Sequence, residues 1–158
     1  MQQFTFEQMI DETLCITGYD GDEPEVIIPD DFGGVPVTML GDGIFKGHPE
    51  ITSVRIPDAV VFMGGFVFDG CVNLHQLTLP AQLRDLFQYT FVRCGIEKIE
   101  LPEHVSSIPP FAFKDCKQLR RVVCNAGLQR IHAWAFQGCD ALTDLLHSAE
   151  TEVSEQAF

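Results

Sequence analysis

The sequence predicts a repeat solenoid built mainly of β-strands, with short helical or irregular turns and about five rungs. Phenylalanine recurs every 22 or 23 residues, at Phe45, Phe68, Phe91, Phe113, Phe136 and Phe158. An aliphatic residue or Met lies five positions before each one, at Leu40, Met63, Leu86, Ile108, Ile131 and Val153. Three positions after the first five stand His48, Cys71, Cys94, Cys116 and Cys139. A fixed period of about 20–50 residues is the sequence signature of stacked repeats.

Each unit ends with a short alternating segment, of which residues 51–57 are an example. Val54 and Ile56 are expected to face inward while Ser53 and Arg55 face outward, because successive side chains of a strand point to opposite sides. Pro57 ends the strand because proline cannot donate the next ladder hydrogen bond. A second extended piece and a turn carrying the phenylalanine and cysteine complete the unit. One unit cannot bury its apolar side alone, so the units must stack.

The period divides the chain into a cap and a repeat region. Residues 1–28 lie outside the period, and two apolar segments near residues 14–17 and 26–28 flank a turn-rich stretch. We interpret residues 1–28 as a β-hairpin that caps the first rung. The repeat units lie near residues 29–56, 57–79, 80–101, 102–124 and 125–147, followed by a truncated unit, 148–158.

The last unit stops at Phe158, without a polar capping element after it. An uncapped rung exposes strand edges and core, which are normally covered. Three interpretations remain open: a longer protein continues here, the last turn folds over as a lid, or two copies meet as a homodimer. Glu150, Glu152 and Glu155 would partly deter such edge pairing.

Charge and composition exclude several classes of function. The chain has 158 residues and a net charge of -13, so binding to nucleic acid, which needs clustered Lys and Arg, is not expected. Insertion into a membrane is not expected either, since no apolar stretch approaches about 20 residues. The start of the chain lacks the pattern of a signal peptide. We therefore expect a cytoplasmic protein, or a secreted or cell-surface protein if a leader was removed.

The sequence predicts no catalytic residues, no metal site and no cofactor. Its six cysteines form no C-x-x-C pair, and thiols in a straight ladder cannot supply the tetrahedral shell that zinc prefers. Free cysteine usually behaves as a small buried hydrophobe, so we interpret the cysteine column as core. The histidines occupy different positions in their units, and none pairs with a nucleophile and an acid by the repeat geometry.

Two columns of side chains are candidate binding surfaces. Two residues before the repeat phenylalanine stand Phe66, Tyr89, Phe111 and Trp134. Either these rings pack edge-to-face and stabilise the stack, or they form a partly exposed strip for apolar side chains or a sugar face. The outward strand positions include Arg55, Gln76, Lys98 and Arg121. Pairing of Lys98 with Glu100 and of Arg121 with Asp144 across rungs would neutralise part of that surface.

The repeat unit resembles the BspA-like leucine-rich repeats, which occur in surface or adhesion proteins of bacteria and some protozoa. Residues 105–124, VSSIPPFAFKDCKQLRRVVC, follow the pattern V-x-x-I-x-x-x-A-F-x-x-C-x-x-L-x-x-V-x-L closely. The resemblance implies a right-handed parallel leucine-rich-repeat stack and a protein-interaction module without a shared active site. A cell-surface adhesion or carbohydrate-binding domain and a structural spacer from a longer repeat protein are the alternatives.

Overall fold

The computed structural model describes residues 1–158, which form fifteen β-strands and no helix. The strands, in chain order, are β1 (Gln3–Gln8), β2 (Leu14–Asp20), β3 (Glu25–Ile27), β4 (Asp31–Phe32), β5 (Val35–Leu40), β6 (Ser53–Arg55), β7 (Phe62–Met63), β8 (Gln76–Leu77), β9 (Asp85–Leu86), β10 (Lys98–Glu100), β11 (Ser107–Ile108), β12 (Arg121–Val123), β13 (Arg130–Ile131), β14 (Asp144–Leu146) and β15 (Glu152–Val153). Most are only two or three residues long, because each rung turns the chain back on itself after a few residues.

The strands form two stacks of parallel strands. One, here called the repeat sheet, contains β3, β6, β8, β10, β12 and β14, and the other, the second sheet, contains β2, β5, β7, β9, β11, β13 and β15. Equivalent residues pair from rung to rung, as Arg121 does with Asp144 and Ile108 with Ile131. The predicted solenoid is confirmed. It has six rungs instead of about five, because β3 adds a rung before the first predicted unit, and its turns contain no helix.

A ladder of phenylalanines fills the interior. The rings of Phe45, Phe68, Phe91, Phe113 and Phe136 are almost completely buried, and successive centroids lie between 4.9 and 5.6 Å apart. Tyr19 closes the first end by packing its edge on Phe45, at 5.2 Å. Phe158 stacks on Phe136 at 6.1 Å but remains 64% exposed. This ladder (here the core ladder) explains why the sequence repeats one large apolar residue.

The amino-terminal segment contains a hairpin, but its strands differ from those expected. The two predicted strands exist, yet they do not pair with each other. Instead β1 pairs antiparallel with β2, while β3 pairs in parallel with β6 of the next rung. The side chain of Gln2 completes this end, since its amide donates to Glu25 O at 2.6 Å and accepts from Ile27 N at 3.0 Å. The pairing expected from the sequence was wrong because β1 was not recognised as a strand, although Phe4 and Phe6 alternate with polar residues.

Both sheets are interrupted at the same boundary between rungs. The repeat sheet breaks between β8 and β10, and the second sheet breaks between β9 and β11. On either side of this boundary the parallel pairing is continuous within each sheet. The chain therefore consists of two hydrogen-bonded blocks, which meet near residue 95.

Candidate interaction surfaces

The four rings of Phe66, Tyr89, Phe111 and Trp134, here called the aromatic strip, lie on the surface of the turns. Each stands three positions after the end of a strand of the second sheet and two positions before the buried repeat phenylalanine. Successive ring centroids are 4.9, 4.9 and 5.3 Å apart. Phe66 is 38% and Trp134 40% exposed, while Tyr89 and Phe111 are half-buried.

The rings stack face to face, with interplanar angles between 3° and 14°. The edge-to-face packing expected from the sequence is therefore wrong. Equivalent residues on adjacent rungs share the same backbone conformation and rise by one rung, so their rings are parallel and offset, an arrangement that aromatic pairs also favour. Both faces of Tyr89 and Phe111 are covered by neighbouring rings, and the strip presents mainly ring edges to solvent.

The backbone at all four strip positions is left-handed, with φ between 59° and 62°. In the first rung Gly43 occupies the same position, with φ of 64°. Bulky residues rarely adopt this conformation, which costs roughly 1–2 kcal/mol per residue. Four aromatic residues stand where glycine would be unstrained, and residues held in sparsely populated conformations cluster at functional sites.

The strip and the two columns of residues that precede it in the turns contain no charged residue. Residues 64–66, 87–89, 109–111 and 132–134 form three adjacent columns over four rungs, here called the uncharged band, and include no Asp, Glu, Lys or Arg. Phe87, which is 54% exposed, and the prolines Pro109 and Pro110 extend the apolar surface of the strip. These residues were not predicted as part of a surface, although their place three or four positions before the repeat phenylalanine is visible in the sequence.

Two lysines flank the uncharged band. The Lys46 ammonium lies 5.2 Å from the Phe66 ring centroid, and that of Lys114 lies 5.7 Å from the Phe111 centroid. Lys46 also lies 3.7 Å from the buried carboxylate of Asp69, which Arg93 contacts at 2.7 Å from the next rung. The lysines thus add cation–π contacts at the edge of the strip.

The outward side chains of the repeat sheet are largely paired with each other. Arg55 binds Asp30 at 3.0 Å, and Arg121 lies 3.5 Å from Asp144 on the next rung, as expected. Lys98 and Glu100 also pair, at 2.8 Å, but within one strand and not across rungs. Gln76 is exposed between them. The predicted residues of this sheet therefore form a mixed, internally neutralised surface that lies apart from the aromatic strip.

The cysteines support the turns from inside. The thiols of Cys71, Cys116 and Cys139 donate to the carbonyl of the phenylalanine on the preceding rung, at 3.1, 2.9 and 3.0 Å. Burial raises the pKa of the Cys94 thiol to about 12 and that of Cys124 to about 11. The interpretation of Cys71, Cys94 and Cys116 as core residues is confirmed, because all three are buried and none forms a disulfide.

His48 occupies the cysteine position in the first of these turns, one rung before Cys71. Its Nδ1 lies 2.6 Å from Glu50 Oε1, so a thiol, an imidazole and a carboxylate come from neighbouring turns. Cys71, however, has no exposed surface, and burial raises the pKa of its thiol far above the ordinary value. A thiolate nucleophile therefore does not form at this place near neutral pH.

Comparison with known families agrees with this architecture. The family described as BspA type leucine rich repeat region matches residues 38–158 in six copies. The chain belongs to the BspA-type leucine-rich-repeat family. The resemblance that residues 105–124 carry is confirmed. The comparison with curated proteins found no match.

Solved bacterial structures share the fold of this BspA-type chain. A T. pallidum leucine rich repeat protein is 24% identical with a TM-score of 0.76, and the alignment covers 90% of this chain and 78% of that protein. A leucine rich cell surface protein from Faecalibacterium prausnitzii A2-165 is 24% identical with a TM-score of 0.63, over 96% of this chain and 55% of that one. A leucine-rich repeat protein from Bacteroides ovatus ATCC 8483 is 20% identical with a TM-score of 0.58, over 94% of this chain and 52% of that one. The chain thus spans about half the length of the latter two proteins.

Charge is distributed unevenly along the BspA-type solenoid. Residues 1–50 contain eleven acidic residues and one basic residue, and residues 138–158 contain five acidic residues and none that is basic. Residues 51–137, which contain the uncharged band, have seven acidic and nine basic residues. No helix in the chain is suited to crossing a membrane. Both ends of the solenoid are strongly acidic, while its middle is close to neutral.

Proposed function

We propose that this chain is a non-catalytic protein-interaction module that binds a protein partner through the aromatic strip. The observation that carries the proposal is the position of the strip: four strained, partly exposed aromatic residues in an uncharged band of a protein with a net charge of -13. Exposed aromatic side chains on a rigid support are typical of interface hot spots. The BspA-type repeat family supports an interaction module in general.

The exposed ring edges favour a particular type of contact. An aromatic ring is positively polarised at its edge and negatively polarised at its face. A partner that places aromatic faces or aliphatic side chains against these edges would fit the strip, and the near-neutral middle of the chain would not repel it. The repeat sheet, with Arg55, Gln76, Lys98 and Arg121, is a second candidate surface, but its charged residues are already paired.

An adhesion domain that binds carbohydrate is the second candidate. The F. prausnitzii structure described as a cell surface protein supports a surface location. Stacking of a sugar on an aromatic ring needs a free ring face, and the two central rings of the strip have none, so the geometry favours a protein partner. A structural spacer from a longer repeat protein is the third candidate, for which the larger size of two structural relatives is support.

Homodimerisation through the last rung is not favoured by charge. Asp144, Glu150, Glu152 and Glu155 lie on or beside this rung, and two copies in contact would bring these carboxylates together. Light scattering coupled to size exclusion tests this directly. We expect a monomer at physiological salt, whereas a dimer that persists in the Tyr89→Ala, Trp134→Ala double variant would place a self-association surface at the end of the stack.

The proposed partner surface can be tested by site-specific photo-crosslinking in extracts of the source organism. A photoreactive phenylalanine analogue replaces Tyr89, and in a matched control it replaces the equally outward Gln76 of the repeat sheet. We expect one defined protein adduct from position 89, which is lost when Trp134→Ser is added. Adducts from position 76 alone, or none that depends on Trp134, would contradict the strip as the binding surface.

A further inference from the structure

The boundary at which both sheets are interrupted lacks two hydrogen bonds that flank the strands of the repeat sheet. The one before the strand is present at every other boundary, and the one after it is also missing at Ile56, one rung earlier. At the next boundary Arg120 N–H donates to Glu97 O at 2.8 Å, and Leu101 N–H donates to Val123 O at 2.9 Å. The equivalent donors here, Glu97 N–H and Leu79 N–H, reach no backbone carbonyl. Because backbone hydrogen bonds between strands are absent from both sheets at this boundary, it is the weakest junction of the stack.

A connection that is one residue shorter than its equivalents accounts for the break in the repeat sheet. Two residues lie between Cys71 and Leu74, as between Cys116 and Leu119, but only Gly95 lies between Cys94 and Ile96. The shortened connection draws Gly95 so close to the preceding turn that a Cβ there would overlap the Val72 carbonyl oxygen. Gly95 N–H donates to Cys71 O at 3.0 Å, which holds the chain against the preceding turn just before it enters β10.

A proline accounts for the break in the second sheet. On the other rungs the residue after the second strand donates its N–H to the rung before, as Phe87 does to Met63 O and His132 does to Ile108 O, both at 3.0 Å. Pro109 occupies this position at the interrupted boundary and has no N–H to donate. The two causes are independent and act on the same boundary.

The turns at this boundary remain joined by two backbone hydrogen bonds, whereas the preceding turn has a third, from Phe66 N–H to Tyr89 O, that has no equivalent at Tyr89 N–H. Phe91 N–H donates to Ala112 O, and Arg93 N–H donates to Lys114 O, both at 2.9 Å. The Tyr89 and Phe111 rings stack at 4.9 Å, as do those of Phe91 and Phe113. The two blocks are therefore joined by hydrogen bonds and ring stacking in the turns, but their strands are not paired in either sheet.

A cleft of about 400 Å³ lies between the unpaired strands of the repeat sheet, and one of similar size, about 410 Å³, lies over the paired strands β3, β6 and β8. Residues 77–79 form one wall of the first cleft and residues 98–102 form the other. Beneath it the apolar side chains of Leu79 and Ile99 remain buried. The rungs thus stay in contact through side chains, while their backbones are free to separate.

We propose that the solenoid is articulated here: residues 1–94 and 95–158 move as two blocks about a pivot formed by the joined turns. Opening and closing of the pivot changes the spacing between the outward columns of β8 and β10. The aromatic strip, which lies on the pivot side, keeps its spacing as the sheets move. The movement is a hinge motion, in which a few residues at the ends of structural elements absorb the change. This inference does not depend on what the strip binds.

Spin-label distance measurements on the full chain test the pivot. Pairs of labels replace outward residues two rungs apart, with Gln76 and Arg121 across the boundary, Glu25 and Gln76 before it, and Lys98 and Asp144 after it. Cys124→Ala and Cys139→Ser remove the half-exposed thiols. We expect a distance distribution about twofold broader for the cross-boundary pair than for both controls. Equal widths in the three pairs would overturn the proposal.

A fourth pair of labels distinguishes a pivot at the turns from a boundary at which the turns move as much as the sheets do. Labels at Gln88 and Ala133 also span two rungs across the boundary, but they lie on the joined turns. We expect their distribution to be as narrow as in the control pairs, and an equally broad one would overturn the pivot. Pro109→Ser restores a backbone N–H donor at this position. On the last rung the equivalent residue, Ser154, donates its N–H to Ile131 O at 3.0 Å. The substitution should therefore narrow the distance distribution of the Gln76–Arg121 pair.

Discussion

The core ladder and the aromatic strip are two columns of aromatic rings built by one repeat, and they differ in burial and backbone. Ring spacings are similar, from 4.9 to 5.6 Å between the buried rings of the ladder and from 4.9 to 5.3 Å in the strip. Only the strip residues have a left-handed backbone, and only the ladder rings are fully buried. The ring spacing therefore follows from the rung repeat, whereas the stabilisation that each column contributes depends on burial.

The largest difference between the columns is expected on truncation of one ring. Phe91→Ala removes a fully buried side chain and leaves a cavity, so it should lower the free energy of unfolding by about 3–5 kcal/mol. Tyr89→Ala removes a half-exposed ring and two stacking contacts, and should cost about 1–2 kcal/mol. Urea denaturation followed by far-UV circular dichroism measures both variants.

Interpretation of that pair of variants requires the same cooperative transition in each. The dependence of the free energy on urea should stay close to that of the parent chain, since the surface exposed on unfolding hardly changes. Equal losses for the two substitutions would mean that the strip supports the stack as strongly as the core ladder does. That result would weaken the case for the strip as a surface kept for a partner.

The sequence predicts the ladder better than the strip. A period of 22 or 23 residues locates every buried phenylalanine, because burial imposes one residue type on one column. The parallel stacking of the strip was not predictable in this way, since it depends on the backbone conformation at Phe66 and Trp134, which the residue types do not reveal. The hairpin pairing of β1 was missed although Phe4 and Phe6 alternate with polar residues, because two apolar positions in a short segment do not reveal which strand it pairs with. The division of the chain into a cap of residues 1–28 and a repeat region stays a prediction.

Alkaline pH should weaken the buried side of the turns. Burial raises the pKa of Cys94 from 9.0 to about 12, so this thiol ionises in the unfolded chain before it does in the folded one. Its contribution to stability is complete below about pH 9 and is lost as pH rises towards 12. Between pH 9 and 10 the loss is about 1 kcal/mol for this thiol.

Comparison of the parent chain with Cys94→Ala isolates that contribution. The variant has a constant packing penalty, measurable at pH 7, and should lose about 1 kcal/mol less than the parent between pH 9 and 10. Urea denaturation at the three pH values provides the data. Parallel pH profiles for the two proteins would show that Cys94 ionises equally easily in both states and would contradict its burial.

The smallest effect tests the backbone difference between the two columns. At Trp134 the φ of 60° suits glycine and penalises any other residue, so Trp134→Gly should be more stable than Trp134→Ala by about 1 kcal/mol. Ala135, next in the chain, is buried with an ordinary φ, and Ala135→Gly should destabilise by roughly 0.5–1 kcal/mol. Thermal or urea denaturation of the four proteins gives both differences. If glycine were the worse residue at both positions, the strip would carry no backbone strain, and its aromatic residues could be explained by packing alone.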